Sequence, residues 1–232
     1  MKLINEIVQT EIIDKLDNVL TIKSVDPAGG GTQKVYFCCI KWLKLYKTIT
    51  SGDYTYLVDG VNGNSVKLII PTGAPALTIF DEPTLNRPLL LNGTMLNASQ
   101  EWTKSTLSEP EKLPFIWLAS PTLERLDPLD SGIEKTSDLK LFFVHWSDWT
   151  QLNANRQADA VKPLMELVSA FRDAIDQNTT AFESYDGVDL RDYPKFGTMT
   201  DKGVDKTIFP STLSAVEFDI SLKLFRKYCE KC

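Results

Sequence analysis

His145 is the single histidine of the chain, and it stands in Phe142-Phe143-Val144-His145-Trp146-Ser147-Asp148-Trp149, with a hydroxyl and a carboxylate following within three positions. These are the residue types of a nucleophile, a general base and the acid that orients it. A proton relay needs the three groups in line, whereas residues packed into four consecutive positions at a strand end point in different directions. No Gly-x-Ser-x-Gly elbow presents a nucleophile elsewhere in the sequence. The pattern therefore reads as an aromatic strand end capped by polar groups. One histidine is also too few for the multi-histidine sites of most hydrolytic zinc enzymes.

The other reactive residue types lead to similar conclusions. Cys38-Cys39 is a vicinal pair and Cys229-Glu230-Lys231-Cys232 is terminal. Strand alternation would send the first two thiols to opposite faces, and the second pair has knuckle-like spacing at a chain end rather than at a helix N-terminus. Reduced thiols are expected, with no metal. Asp81 with Glu82 and Asp127 with Asp130 are carboxylate pairs of the kind a glycosidase uses, but they lie among turn residues and read as loop and solubility groups. Gly29-Gly30-Gly31 lacks the Lys-Ser/Thr of a phosphate cradle and reads as a linker. Asn92, Asn97 and Asn178 open glycosylation sequons, which carry no meaning without export.

The scaffold for these residues is 232 amino acids, 43% hydrophobic, 10% aromatic and 24% charged, with Gly and Pro at 12 each. Such values exclude disorder, collagen and coiled coil. Lys and Arg number 25 against 31 Asp and Glu, for a net charge of −6. A DNA-coating protein needs a cationic footprint, so that class is disfavoured. No stretch approaches the eighteen apolar residues of a membrane span, and the N-terminus lacks the pattern of a signal peptide.

Leu3, Ile4, Ile7, Val8, Ile12 and Leu16 have helical spacing and predict an amphipathic opening helix over 2–16. Val19 to Val25 predicts a short strand. Val35 to Ile49 is rich in β-formers and apolar on both faces, predicting a long strand that bends or projects. Tyr54 to Val58 and Val66 to Ile70 flank Asp59-Gly60-Val61-Asn62-Gly63-Asn64, the clearest hairpin signal in the chain, with Asn62-Gly63 as the turn. Residues 71–112 are broken by five prolines, and residues 121–137 read as a polar loop. Leu113 to Leu118 and Leu139 to Val144 are buried central strands by composition. Leu164, Leu167, Val168, Phe171 and Ile175 line one face of a long helix ending at Gln177, with Pro163 in its first turn. Val216 to Leu224 alternates over nine positions and predicts an antiparallel strand with Glu217, Asp219, Ser221 and Lys223 in solvent.

The expected fold is one α+β domain over 1–232: a mostly antiparallel sheet packed by an N-terminal helix and one long later helix. Residues 33–72 are expected as a projecting β-hairpin arm and 73–112 as a loop-rich insertion. Lys34, Lys41, Lys44 and Lys47 mix with Trp42, Tyr46, Tyr54 and Tyr56 in the arm. A nucleic-acid platform uses such residues, but lysines guarding a strand edge explain them equally, and the acidic balance favours the second reading. The arm carries more apolar surface than one small sheet covers, which makes Trp42, Tyr46, Tyr54, Tyr56, Asn62 and Gly63 a candidate subunit interface.

The order of elements, from the leading helix through Leu113–Leu118, Leu141–Val144, the helix with Pro163-Leu-Met-Glu-Leu167 and Phe171, to Val216–Leu224, resembles tail-terminator and tail-completion proteins of tailed bacteriophages. Similar ring proteins occur in the neck and tail of crAss-like and related phages. The resemblance covers residues 1–20 and 110–228. It implies a virion subunit, assembled in the host cytoplasm, that forms a cyclic homo-oligomer on the head-to-tail axis. It further implies contact with neck, portal or tail proteins, DNA passing through without sequence-specific binding, and no cofactor, catalysis or membrane. Residues 71–112 depart from the compact terminator pattern. Two other classes remain open: a monomeric carbohydrate- or protein-binding module of a phage or bacterial surface, suggested by five Trp and seven Tyr, and a hydrolase using His145 with a remote carboxylate.

Overall fold

A period-two burial pattern marks residues 32–37 and 65–69, whereas residues 213–218 are buried without a break. In a computed structural model, the structure describes residues 3–40, 42–120, 122–129, 132–148, 150, 153–201, 204–209 and 212–224. The architecture is α+β. The chain divides into two compact units, one of residues 17–87 and one of residues 1–16 with 88–232.

In the unit of residues 17–87, β1 (Ile22–Val25), β2 (Thr32–Phe37), β3 (Thr48–Ser51), β4 (Tyr54–Asn62) and β5 (Ser65–Ile69) form one antiparallel sheet in the order β1-β2-β5-β4-β3. Gln33, Val35, Phe37, Ile49, Tyr56, Val66 and Leu68 occupy its buried face, while Lys34, Leu57, Lys67 and Ile69 stand on the other. Residues 33–72, expected as an arm, thus belong to a sheet with a buried side. The long strand expected over Val35 to Ile49 is broken after Phe37, because Trp42, Leu43, Leu45 and Tyr46 are all buried around a 3-10 turn at Leu43–Leu45 that an extended chain could not wind inward. Gly29-Gly30-Gly31 is a tight turn rather than a linker: Gly29 and Thr32 exchange two backbone hydrogen bonds, and Gly30 and Gly31 hold φ of 58° and 75°. Two successive positive φ angles suit glycine, which has no Cβ to clash there.

The second unit opens with α1 (Ile4–Ile7), which continues as a π turn at Val8–Ile12 and a 3-10 turn at Ile13–Lys15. Its six-stranded sheet has the order β10-β13-β9-β7-β6, with β8 also on β9. Here β6 is Leu89–Gly93, β7 Phe115–Ala119, β8 Leu123–Leu129, β9 Gly132–Trp146, β10 Phe182–Phe196 and β13 Leu213–Leu224. A separate two-stranded sheet pairs β11 (Thr198–Asp201) with β12 (Val204–Thr207). The helices are α2 (Met95–Lys104), α3 (Asn153–Arg156), which runs through a π turn at Gln157–Val161, and α4 (Lys162–Gln177).

Phe171 of α4 meets Phe143 and Phe218 edge-on, with ring centroids at 5.4 and 6.1 Å, and so covers one face of β9 and β13. The other face carries Trp117 stacked on Phe142 at 4.8 Å, with Phe115, Phe196, Phe209 and Trp102 of α2 completing the cluster. Asn178 ends α4 and donates to the Glu11 carbonyl and to its Oε2 at 3.0 and 3.1 Å, tying the opening helix to the long one.

Two stretches expected to be irregular are ordered. Residues 73–112 contain β6 and α2; the Thr94 side chain accepts from the Asn97 N–H as N-cap, and Ala98 and Trp102, four apart, face the aromatic cluster. The loop expected over 121–137 is largely the β8–β9 hairpin.

Candidate functional site

The six residues expected at a subunit interface separate into two groups. Trp42, Tyr46 and Tyr56 are buried at 2%, 6% and 1% exposure, so they are interior residues and not an interface. Burial pushes the Tyr46 phenol well above its ordinary value. The Tyr56 hydroxyl donates to the Pro75 carbonyl at 2.9 Å, which pins the loop after β5 to the buried face of the sheet. Tyr56 alternates with exposed Thr55 and Leu57 on β4, which marks the inward face, while Trp42 and Tyr46 flank the 3-10 turn beside buried Leu43 and Leu45. Tyr54, Asn62 and Gly63 are exposed. The hairpin turn itself is Gly63-Asn64, one residue later than expected, since Asn62 pairs with Ser65 and Gly63 takes a φ of 56°.

The His145 constellation is pulled apart. His145 lies on β9 opposite Ser214 of β13, on the same face as Phe143. Asp148 is engaged elsewhere: its Oδ1 accepts from the Thr150 hydroxyl at 2.7 Å and from its N–H at 2.9 Å, which holds the carboxyl below its usual range. Ser147 is buried, and its backbone N–H donates to the Thr212 carbonyl. The three groups do not form a relay.

Cys38 and Cys39 are both exposed just beyond β2, while Cys229 and Cys232 lie outside the described residues. Among the described residues no group of three or more His, Cys, Asp or Glu side chains is placed to hold a metal ion. No helix among them is long and apolar enough to cross a membrane. Asn178 is buried, so its sequon is internal, while Asn92 lies on β6 and Asn97 on α2. Asp81 is occupied by a turn with Thr78, and Asp130 lies outside the described residues.

One polar constellation went unread in the sequence. Glu217, expected in solvent, is 2% exposed, because the face of β13 on which it stands is roofed at one end by the aromatic cluster. It accepts from Lys140 Nζ at 2.6 Å, with Arg191 at 3.9 Å and Asp219, 3.2 Å from Lys140, beside it. Burial alone would raise the Glu217 carboxyl; hydrogen bonds from Lys140 and Tyr193 and the charges of Lys140 and Arg191 outweigh it, leaving the group below its ordinary value. The hydrogen bond to Glu217 raises Lys140. Burial, aided by the Glu217 charge, raises Asp219. A carboxylate held ionised by two hydrogen-bond donors and a nearby guanidinium has no proton to exchange near neutrality, so the cluster acts as a structural clasp across β10, β13 and β9. The signal for it was register: Lys140, Glu217 and Arg191 align only once the three strands are paired.

Exposed apolar groups are the remaining feature of the surface. In the 17–87 unit these are Ile79 and Phe80 at a loop tip, Leu57 and Ile69 on the open sheet face, and Val19 and Tyr54. Compared with protein-family models the chain matches none, and no curated protein matches it.

Proposed function

We propose that this protein is a structural subunit of the neck or tail of a tailed bacteriophage, forming a closed ring through which DNA passes. The observation that carries the reading is the β11–β12 hairpin, a two-stranded ribbon that pairs with no other described strand. Such a ribbon is marginal by itself and gains stability by lying on another surface. Its base is firmly seated: Ile208 N–H donates to the Gly197 carbonyl at 2.8 Å, Ser99 of α2 donates to the Ile208 carbonyl at 2.7 Å, and Phe196 and Phe209 lie in the aromatic cluster. An arm with an anchored base and an unpaired ribbon suits contact with a neighbouring subunit. The net charge of −6 suits a ring that lets DNA slide, since cationic linings grip phosphate.

Replacing residues 199–206 by Gly-Gly tests the reading. Light scattering on the full chain is expected to show a cyclic oligomer for the parent and mainly monomer for the variant, with the circular dichroism spectrum of the folded chain retained and the thermal midpoint lowered only by the lost association. A parent protein that stays monomeric at high concentration and is missing from particles contradicts the ring and favours the monomeric binding module.

A further inference from the structure

The loop after β5 ends in an apolar knob. Phe80 is 88% exposed and Ile79 beside it 52%. The tip is fixed: Asp81 Oδ2 accepts from the Thr78 N–H at 2.6 Å and from its hydroxyl at 2.8 Å, and the Asp81 N–H returns a bond to the Thr78 carbonyl. Its base is fixed too, because Gln33 and Leu77 exchange two hydrogen bonds of 2.8 Å on the buried side of the sheet. A turn restrained at both points holds two large hydrophobes in water, and exposed Glu82 follows them beside Asp81. Aromatic anchors of this kind dominate binding energy where they are fully desolvated.

The opposite side of the same sheet offers a complementary surface. Leu57 and Ile69 face each other across β4 and β5 and are 50% and 38% exposed, with Thr48 and Thr32 extending the row. The next row along holds Lys67 opposite Lys34, both exposed; Asp59 pairs with Lys67, and Lys34 lies 5.1 Å from the Tyr36 ring centroid. The knob is apolar with an acidic flank, and the face is apolar with a lysine flank.

We infer that the Ile79–Phe80 knob of one copy docks on the Leu57–Ile69 face of a second copy of this chain. The inference rests on the ring reading above and supplies one of its contacts. Knob and face lie on opposite sides of one sheet, so the contact is heterologous, and a heterologous contact closes into a ring when the rotation from copy to copy divides a full turn. Asp81 and Glu82 then meet Lys34 and Lys67, which fixes the direction of docking.

Two full-length variants test it, Phe80→Asp to remove the knob and Leu57→Asp to remove the face. Both alter exposed side chains, and circular dichroism confirms the fold. In sedimentation velocity each variant alone is expected to self-associate at least tenfold more weakly than the parent. An equimolar mixture is expected to give a dimer and nothing larger, since one intact knob meets one intact face. If both variants assemble like the parent, or if two monomeric variants fail to dimerise on mixing, the knob-to-face contact is wrong while the ring stands on other contacts. A parent protein that is monomeric at every concentration and missing from particles removes the ring and this contact together.

Discussion

The two units treat the two faces of a sheet differently. In the unit of residues 17–87, β5 alternates between buried Val66 and Leu68 and exposed Lys67 and Ile69, leaving a face of the sheet open. In the other unit the first six residues of β13, Leu213 to Phe218, are all buried, because α4 covers one face and the aromatic cluster the other. Charge divides along the same boundary. Residues 17–87 carry seven Lys and Arg against six Asp and Glu, while the rest carries 18 against 25. A sheet covered on both sides is buried throughout, and one covered on a single side leaves a face to solvent.

The largest expected break falls on the doubly covered sheet. Phe218→Asp places an unpaired charge between Phe143 and Phe171 and is expected to cost more than about 4 kcal/mol, abolishing the cooperative melt of that unit, whereas Asp219→Asn is expected to stay within about 1 kcal/mol. Calorimetry on both variants checks the difference, and equal effects would mean that the register of β13 is wrong.

Next comes the clasp. Lys140→Met leaves Glu217 buried with weaker partners, a loss expected at about 2–3 kcal/mol in denaturant titration at neutral pH. The Glu217 carboxyl is depressed in the folded state, so its contribution is fully present above its ordinary value of 4.5 and is lost as pH falls through the lower folded value. Asp219 is raised and acts in the opposite sense, binding its proton more readily when folded. Glu217→Gln is therefore expected to flatten the acid limb of the stability curve, and an unchanged limb would show that the clasp does not control it.

Smaller effects belong to the 17–87 unit. Gly30→Ala forces an alanine to a φ of 58° and is expected to cost about 1–2 kcal/mol by chemical denaturation. Tyr56→Phe removes the bond to the Pro75 carbonyl and is expected to cost about 1 kcal/mol, with Phe80 becoming less restrained in fluorine NMR of a labelled ring. A Tyr56→Phe protein as stable as the parent would show that the Tyr56 hydroxyl does not hold the loop.

What the sequence revealed of this arrangement follows its periodicities. Helical spacing located the opening helix and α4, and alternation located β13 and the β4–β5 hairpin, because each pattern needs no knowledge of its partner. α2 was hidden by Asn97, Ser99 and Thr103, polar residues whose helical role depends on Trp102 and Ala98 finding the cluster. The broken run after Phe37 was hidden because apolar residues in a buried 3-10 turn look like those in a buried strand. Glu217 seemed exposed because alternation reports two faces but not whether a second layer covers the polar one. The candidate interface residues suffered the same limit: Trp42, Tyr46 and Tyr56 are aromatic residues of the interior, whereas exposed Phe80 sits in a Pro- and Thr-rich loop with no period to draw notice.

The central claim is a closed ring, and electron microscopy of the purified full-length protein at high concentration tests it most directly. Class averages of closed rings of uniform subunit number with an axial opening, lost in the Gly-Gly hairpin variant, are the predicted result. Isolated particles of 26.1 kDa mass, or open filaments of variable length, would contradict it.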